Sequence, residues 1–205
     1  MKADFEDYLI DAKLHIDTVG RNDSFSTDHL YPYEPTSYPV LDRLIESGYI
    51  TGTDRVLDYG CGKGRVPIYL NHKLGCRTIG VELVDVFFND AVKNSEKYKK
   101  SARSIAEDDI SLVHLSAQKY DILPTVNRFF FFNPFSAAVF KGVMGKVIES
   151  YYEKERRMIL FFYYPQDEYI AYLSGVDEVM FVDEIDCMDL FSEKDDRNRI
   201  MIYEL

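Results

Sequence analysis

The chain has no tryptophan, only three cysteines and far fewer basic than acidic side chains. Cys61, Cys76 and Cys187 are too few and too scattered for a disulfide framework, and no two stand at a zinc-ligand spacing. Reduced thiols and no metal site are therefore expected. Lys and Arg number 24 against 35 Asp and Glu, a formal charge of −11. A field of that sign repels polyphosphate backbones and disfavours nucleic acid as a partner. No apolar run is long enough to span a bilayer, and Met1 to Asp7 is acidic where a signal peptide is basic. The expectation is a cytoplasmic protein without membrane contact, monomeric or homodimeric.

Against those absences stand 205 residues, 46% of them hydrophobic, enough for one domain with a substantial core. An N-terminal helical or lid segment is expected over 1–52 and a core over 53–205. Phe5, Tyr8, Leu9, Ala12 and Ile16 recur at helical spacing, predicting an amphipathic helix from Asp4 to Val19 that stops at Gly20. Residues Arg21 to Pro39 read as an aromatic loop, and Val40 to Tyr49 as a second helix. From Arg55 the chain alternates short β-rich runs with longer helical ones, the pattern of a mostly parallel sheet with helices on both faces. The strands are predicted at Arg55–Tyr59, Thr78–Leu83, Ile110–Leu115, Arg128–Phe132, Met158–Tyr163, Glu178–Ile185 and Arg199–Tyr203. The helices between them are predicted at Val66–Leu74, Val84–Ser101, Ala137–Lys154 and Asp167–Leu173. The last two strands are joined by a polar turn with no room for a helix, which predicts an antiparallel C-terminal hairpin.

The first strand ends in Asp58-Tyr59-Gly60-Cys61-Gly62-Lys63-Gly64 and passes at once into a helix. Open α/β sheets bind ligands at such strand-to-helix turns. Glycine lets a ligand lie against the backbone and meet its amide groups. After the next strand, Glu82 and then Leu83 fall where a carboxylate can accept hydrogen bonds from both hydroxyls of a ribose. The spacing Gly60-x-Gly62-x-Gly64 differs from the dinucleotide fingerprint Gly-x-Gly-x-x-Gly, since position 65 is arginine. Lys63 and Arg65 are expected to face solvent, and Cys61 is expected for its small size, not its reactivity.

An acidic residue two positions before Gly-x-Gly-x-Gly resembles the first motif of the class I, seven-stranded, Rossmann-like S-adenosylmethionine-dependent methyltransferases. The resemblance runs from about Thr53 to the end of the chain. It implies S-adenosyl-L-methionine as cofactor and S-adenosyl-L-homocysteine as product, with Asp58 toward the methionyl ammonium and Glu82 on the ribose. It also implies Ser116 and Ala117 beside the adenine, although Ser116 stands where an acidic residue is commoner. A serine capping the short helix after it is an equal alternative.

The fourth strand runs into Asn133-Pro134-Phe135 at the same sheet edge. An asparagine oxygen and a following backbone carbonyl can accept the two hydrogens of an amino group and direct its lone pair, while Phe135 can pack over a planar acceptor. The tripeptide resembles the Asn-Pro-Pro-Tyr motif of methyltransferases acting on amide or exocyclic amino nitrogens, one proline shorter and with Phe for Tyr. Asn133 as a helix cap is the alternative. Tyr31-Pro32-Tyr33-Glu34-Pro35-Thr36 resembles the Pro-Thr segment of some protein-lysine methyltransferases. It implies an apolar lid whose tyrosine hydroxyls, Tyr33 among them, reach the cofactor carboxylate or the acceptor, with Thr36 on the same carboxylate and packing of the N-terminal helix as the alternative. His29 is a candidate base should the acceptor be a hydroxyl.

The reading is an enzyme that methylates a nitrogen of a small molecule or protein. An O-methyltransferase, a nicotinamide-dependent oxidoreductase and a non-catalytic module of the same fold are the alternatives.

Overall fold

Phe129, Phe130 and Phe131 are fully buried, as are Ile159 to Phe162 on the next strand, so these strands are apolar on both faces. Such strands are stable only in the middle of a sheet covered on both sides. The computed structural model, which describes residues 2–28, 30–102, 106 and 109–205, places them there. The strands are β1 (Arg55–Tyr59), β2 (Arg77–Glu82), β3 (Ile110–His114), β4 (Arg128–Phe131), β5 (Ile159–Tyr163), β6 (Met180–Asp186) and β7 (Arg199–Glu204). They form one sheet in the order β3-β2-β1-β4-β5-β7-β6. β3, β2, β1, β4 and β5 are mutually parallel, and β7 runs antiparallel between β5 and β6. The expected α/β architecture with an antiparallel C-terminal hairpin is therefore present, with β7 inserted beside β5 and β6 at the edge.

The helices are α1 (Lys2–Leu14), α2 (Tyr38–Glu46), α3 (Arg65–Leu74), α4 (Asp85–Ser101), α5 (Ala137–Glu153) and α6 (Asp167–Leu173). Alternate residues of the central strands feed two cores. Val56, Phe130 and Phe161 pack with α2 and α3 on one face. Leu57, Phe129, Phe131 and Phe162 pack with α5 and α6 on the other.

The N-terminal segment departs from its expected form. α1 ends at Leu14, not Val19, and Gly20 plays no part in stopping it. The Asp11 carboxylate takes the N–H of Thr18 at 2.5 Å and of Val19 at 3.1 Å, turning the chain back through His15 at φ +59°. The left-handed His15, with the Ile16 N–H donating to Asp11 O at 3.0 Å, closes the helix in the way a glycine commonly does. The predicted apolar stripe is also turned outward: Phe5 and Tyr8 are 64% and 61% exposed, while Asp7 and Asp11 are buried. α2 starts two residues early, at Tyr38, with Pro39 in its first turn where a missing N–H costs nothing. Strand ends shift by one or two residues, so Leu83, Leu115 and Phe132 lie just beyond their strands.

Candidate active site

In the sheet order, the neighbours of β1 are β2 and β4, and the chain's direction of winding reverses between β1 and β4. This is the switch point at which open α/β sheets leave a crevice outside the carboxyl ends of their strands. A cavity of about 400 Å³ lies there, in the size range of small-molecule sites. Asp58, Gly60, Cys61, Gly62, Glu82, Leu83, Ser116, Ala117, Asn133, Pro134, Phe135, Tyr33 and Thr36 all line it. Gly64 does not line it. Gly64 opens α3 at φ +85°, and a Cβ there would stand 3.3 Å from Ala91 Cβ, so its service is the packing of α3 on α4.

The other two glycines are needed for reasons different from the expected ligand contact. Gly60 has φ +75°, and a Cβ there would lie 2.5 Å from Pro134 Cβ. Gly62 has φ +53°, and its Cβ would enter the Tyr33 ring at 2.4 Å. The left-handed backbone and the closeness of a neighbouring side chain both require glycine. Several of the loop's amides are already engaged: the N–H groups of Gly60 and Cys61 both donate to Val81 O, and that of Gly62 donates to Glu82 Oε2 at 2.8 Å.

Glu82 therefore organises the loop. Its Oε1 also accepts from the N–H of Leu83 and of Val84, each at 2.8 Å. With about four lone-pair positions on a carboxylate, three are taken by these backbone N–H groups. Burial raises its pKa, against the pull of these N–H bonds and of His114. Asp58 differs: it is buried, lines the cavity and makes no hydrogen bond or ion pair among the described residues. Burial, and then the Glu82 charge, hold its carboxyl well above the usual carboxylate range. A buried acid in this condition is stabilised by an arriving cation. Burial likewise pushes the Cys61 thiol up, and its sulfur fills the space left by Gly80, where a Cβ would come within 2.6 Å. It is a packing residue.

At the end of β4, Asn133 has φ +40°, and its Nδ2 donates to Tyr164 O. Only the NH₂ can donate to a carbonyl, so the bond fixes the amide and leaves Oδ1 as its acceptor. The residue before α5 is Ser136, so Asn133 does not cap that helix. Pro134 packs on Gly60. Phe135 is 3% exposed, edge-on to Tyr59 and Phe131, and its carbonyl accepts from the Tyr169 hydroxyl. It forms cavity floor and presents little free face for stacking. Ser116 precedes a 3₁₀ turn at Ala117–Lys119 and makes no side-chain capping bond.

The aromatic segment crosses this crevice as a strap, bridged at Leu30 to Phe135 and at Tyr33 to Asn22. The Tyr33 hydroxyl donates to Thr18 O at 2.5 Å, while its ring covers Gly62. Thr36 is buried in the wall, and its carbonyl accepts from Arg65 at 3.1 Å. His29 lies outside the described residues.

Arg65 is buried behind the glycine loop. Expected in solvent, it is 2% exposed. Its guanidinium pairs with Asp7, stands 3.7 Å from Asp11, donates to Thr18 Oγ1 at 2.7 Å and lies over the Tyr38 ring at 4.4 Å. α1 thus buries two acids to meet one arginine at the rim of the glycine loop. The i,i+4 spacing of Asp7 and Asp11 was the available signal. Among the described residues no cluster of His, Cys, Asp or Glu is placed to hold a metal, and no helix is long and apolar enough to cross a membrane.

No family model matches the chain. A histone-lysine N-methyltransferase, H3 lysine-79 specific, from Dictyostelium discoideum is 34% identical over 99 residues, 48% of this chain and 5% of that protein. A protein-lysine N-methyltransferase from Saccharolobus islandicus is 34% identical over 74 residues, 36% of this chain and 46% of that protein. The chain thus spans less than half the length of these curated relatives. A solved RNA methyltransferase from Salinibacter ruber, in complex with S-adenosyl-L-homocysteine, superposes with a TM-score of 0.52 at 19% identity, covering 83% of this chain and 92% of that one. With the switch-point crevice, the strand order and these likenesses together, the chain has the fold of the class I, seven-stranded, Rossmann-like methyltransferases.

Proposed function

We propose that this protein is an S-adenosylmethionine-dependent N-methyltransferase whose acceptor is an amine on a protein side chain. The observation that carries the cofactor is Asp58: a buried carboxylate without a protein partner, aimed at the crevice and held far from its comfortable ionisation state. A methionyl ammonium supplies the missing cation. Glu82 has one acceptor position left for a ribose hydroxyl, and Ser116 and Ala117 border the remaining adenine side. Bound there, the cofactor would supply an electrophilic methyl for in-line displacement.

The chain's own part is positioning and exclusion of water. Asn133 Oδ1 accepts an N–H of the acceptor and turns its lone pair toward the crevice, with the amide locked by Tyr164 O. Phe130, Phe132 and Val139 make the surrounding wall apolar. A protein amine is preferred to a small molecule because both curated relatives are named as lysine N-methyltransferases. Calorimetry with S-adenosyl-L-homocysteine tests the first part: micromolar binding is expected, weakened at least about tenfold in Asp58→Ala by loss of a charge-assisted bond. Asn133→Ala is expected to keep that affinity and lose methyl transfer. No binding at millimolar ligand refutes the reading.

A further inference from the structure

Four charged residues line the crevice among those described: Glu34, Asp58, Arg65 and Glu82. Asp58 and Glu82 lie at the glycine loop, and Arg65 is neutralised from below by Asp7 and Asp11. Glu34 is left without a part in cofactor binding. It sits on the strap next to Tyr33, half-exposed, and its one ion pair among the described residues is with Arg21, at 3.3 Å and equally open to water. An exposed pair of this kind is weak and readily exchanged.

The strap that carries Glu34 is tied to the acceptor end of the crevice: Leu30 bridges Phe135, and the Tyr31 hydroxyl meets Gln166 just past the end of β5. That is where Asn133 is tied, through Tyr164 O. Aromatic rings border the same end: Tyr31 reaches Gln166 through its hydroxyl, and the half-buried Phe132 ring is 4.7 Å from Tyr163 and 6.3 Å from Tyr164. A carboxylate among aromatic faces is the chemistry that recognises an alkylammonium. It is the wrong chemistry for a nucleobase, whose exocyclic amino group carries no charge and whose neighbouring phosphates Glu34 repels.

We propose that Glu34 is the specificity-determining residue of the acceptor subsite, receiving the ammonium of a primary amine on a flexible side chain in place of Arg21 and so favouring protein lysine over RNA. The inference rests on the N-methyltransferase reading above. It concerns selection of the acceptor on entry, upstream of the amine's alignment by Asn133.

The test uses the full chain loaded with S-adenosyl-L-homocysteine and two N-acetylated, C-amidated peptides that differ only in lysine or norleucine at one position. Calorimetry reads the affinities, so turnover is not needed. The protein is expected to prefer the lysine peptide by roughly tenfold, the scale of one hydrogen bond to a charged group. Glu34→Gln is expected to abolish the preference with S-adenosyl-L-homocysteine affinity unchanged, Glu34→Asp to restore part of it, and Arg21→Gln to strengthen lysine binding. A preference that survives Glu34→Gln overturns the proposal. So does a parallel loss of S-adenosyl-L-homocysteine affinity, which assigns Glu34 to the cofactor wall, and so does tighter binding of a short RNA oligonucleotide than of the lysine peptide. Failure of the unaltered protein to bind S-adenosyl-L-homocysteine is a separate result, seen before any peptide is added, and refutes the underlying reading and this inference with it.

Discussion

Replacing Arg65 with alanine removes the cation between two buried carboxylates and the donor to two further oxygens, Thr18 Oγ1 and Thr36 O. Neither carboxylate can turn to water, because Asp7 and Asp11 are themselves buried. Breaking a buried ion pair from one side costs about 3–5 kcal/mol, since the partner charge stays behind uncompensated. For a chain of this length that is a fall in Tm of roughly 6–20 °C. The deficit has a definite pH dependence. Burial already raises the Asp7 pKa against the pull of Arg65, so the native state holds that proton to higher pH than the unfolded chain does. Its contribution to stability is present below the ordinary carboxylate pKa and declines as pH rises through the raised one. Without Arg65 the raised value climbs further, so the variant's deficit is smaller near pH 5 than near pH 8. Urea unfolding at both pH values measures it, with Lys63→Ala as the control. The Lys63 ammonium lies 5.3 Å from the Tyr33 ring centre, a contact worth about 0.5–1 kcal/mol. An Arg65→Ala variant within about 1 kcal/mol of the unaltered protein at pH 8 would refute the network described here.

Two further outcomes follow from the crevice. Gly62→Ala meets the Tyr33 ring at 2.4 Å, while Gly75→Ala, with a similar φ of +67°, meets nothing within 4 Å. Both are expected to lose about 1–2 kcal/mol of stability to left-handed backbone, but only Gly62→Ala should lower S-adenosyl-L-homocysteine affinity, read by calorimetry as it displaces the strap. Binding should also release a proton. Burial raises the Asp58 pKa in the free protein; an arriving ammonium lowers it, so a proton leaves and affinity strengthens as pH rises. The binding enthalpy should then vary with the buffer's ionisation enthalpy, and cease to vary in Asp58→Asn. A buffer-independent enthalpy in the unaltered protein would count against Asp58 as the ammonium's partner.

The sheet and the crevice were readable because they rest on local signals. Continuous apolar runs such as Phe129 to Phe131 and a glycine turn after Asp58 specify their own backbone, and strand order follows from the short right-handed connections between them. Arg65 was not readable on those terms. A charged residue after a glycine loop reads as solvated unless its partners are known, and Asp7 is 58 positions away. The same long-range pairing inverted α1: counting apolar residues pointed Phe5 and Tyr8 inward, but two buried acids facing an arginine outweighed two apolar side chains. Asn133 shows the limit from another side. Its residue type suited a cap and an acceptor equally, and the choice was made by the Tyr164 carbonyl, 31 residues further on.

The glycine loop itself changes meaning in this light. The amides of Gly60, Cys61 and Gly62 are taken by Val81 O and Glu82, and the spaces that Gly62 and Gly60 leave are filled by Tyr33 from the strap and Pro134 from the end of β4. Three stretches that look independent along the chain, at 31–36, 58–64 and 133–135, therefore press on one another across the crevice. Residues that share such contacts do not contribute additively. Trimming the Tyr33 ring should relieve the clash that Gly62→Ala creates, so the double variant should lose less than the sum of the single losses. That coupling makes the crevice one packed unit, with the buried Asp58 carboxylate as the group left over for a ligand to satisfy.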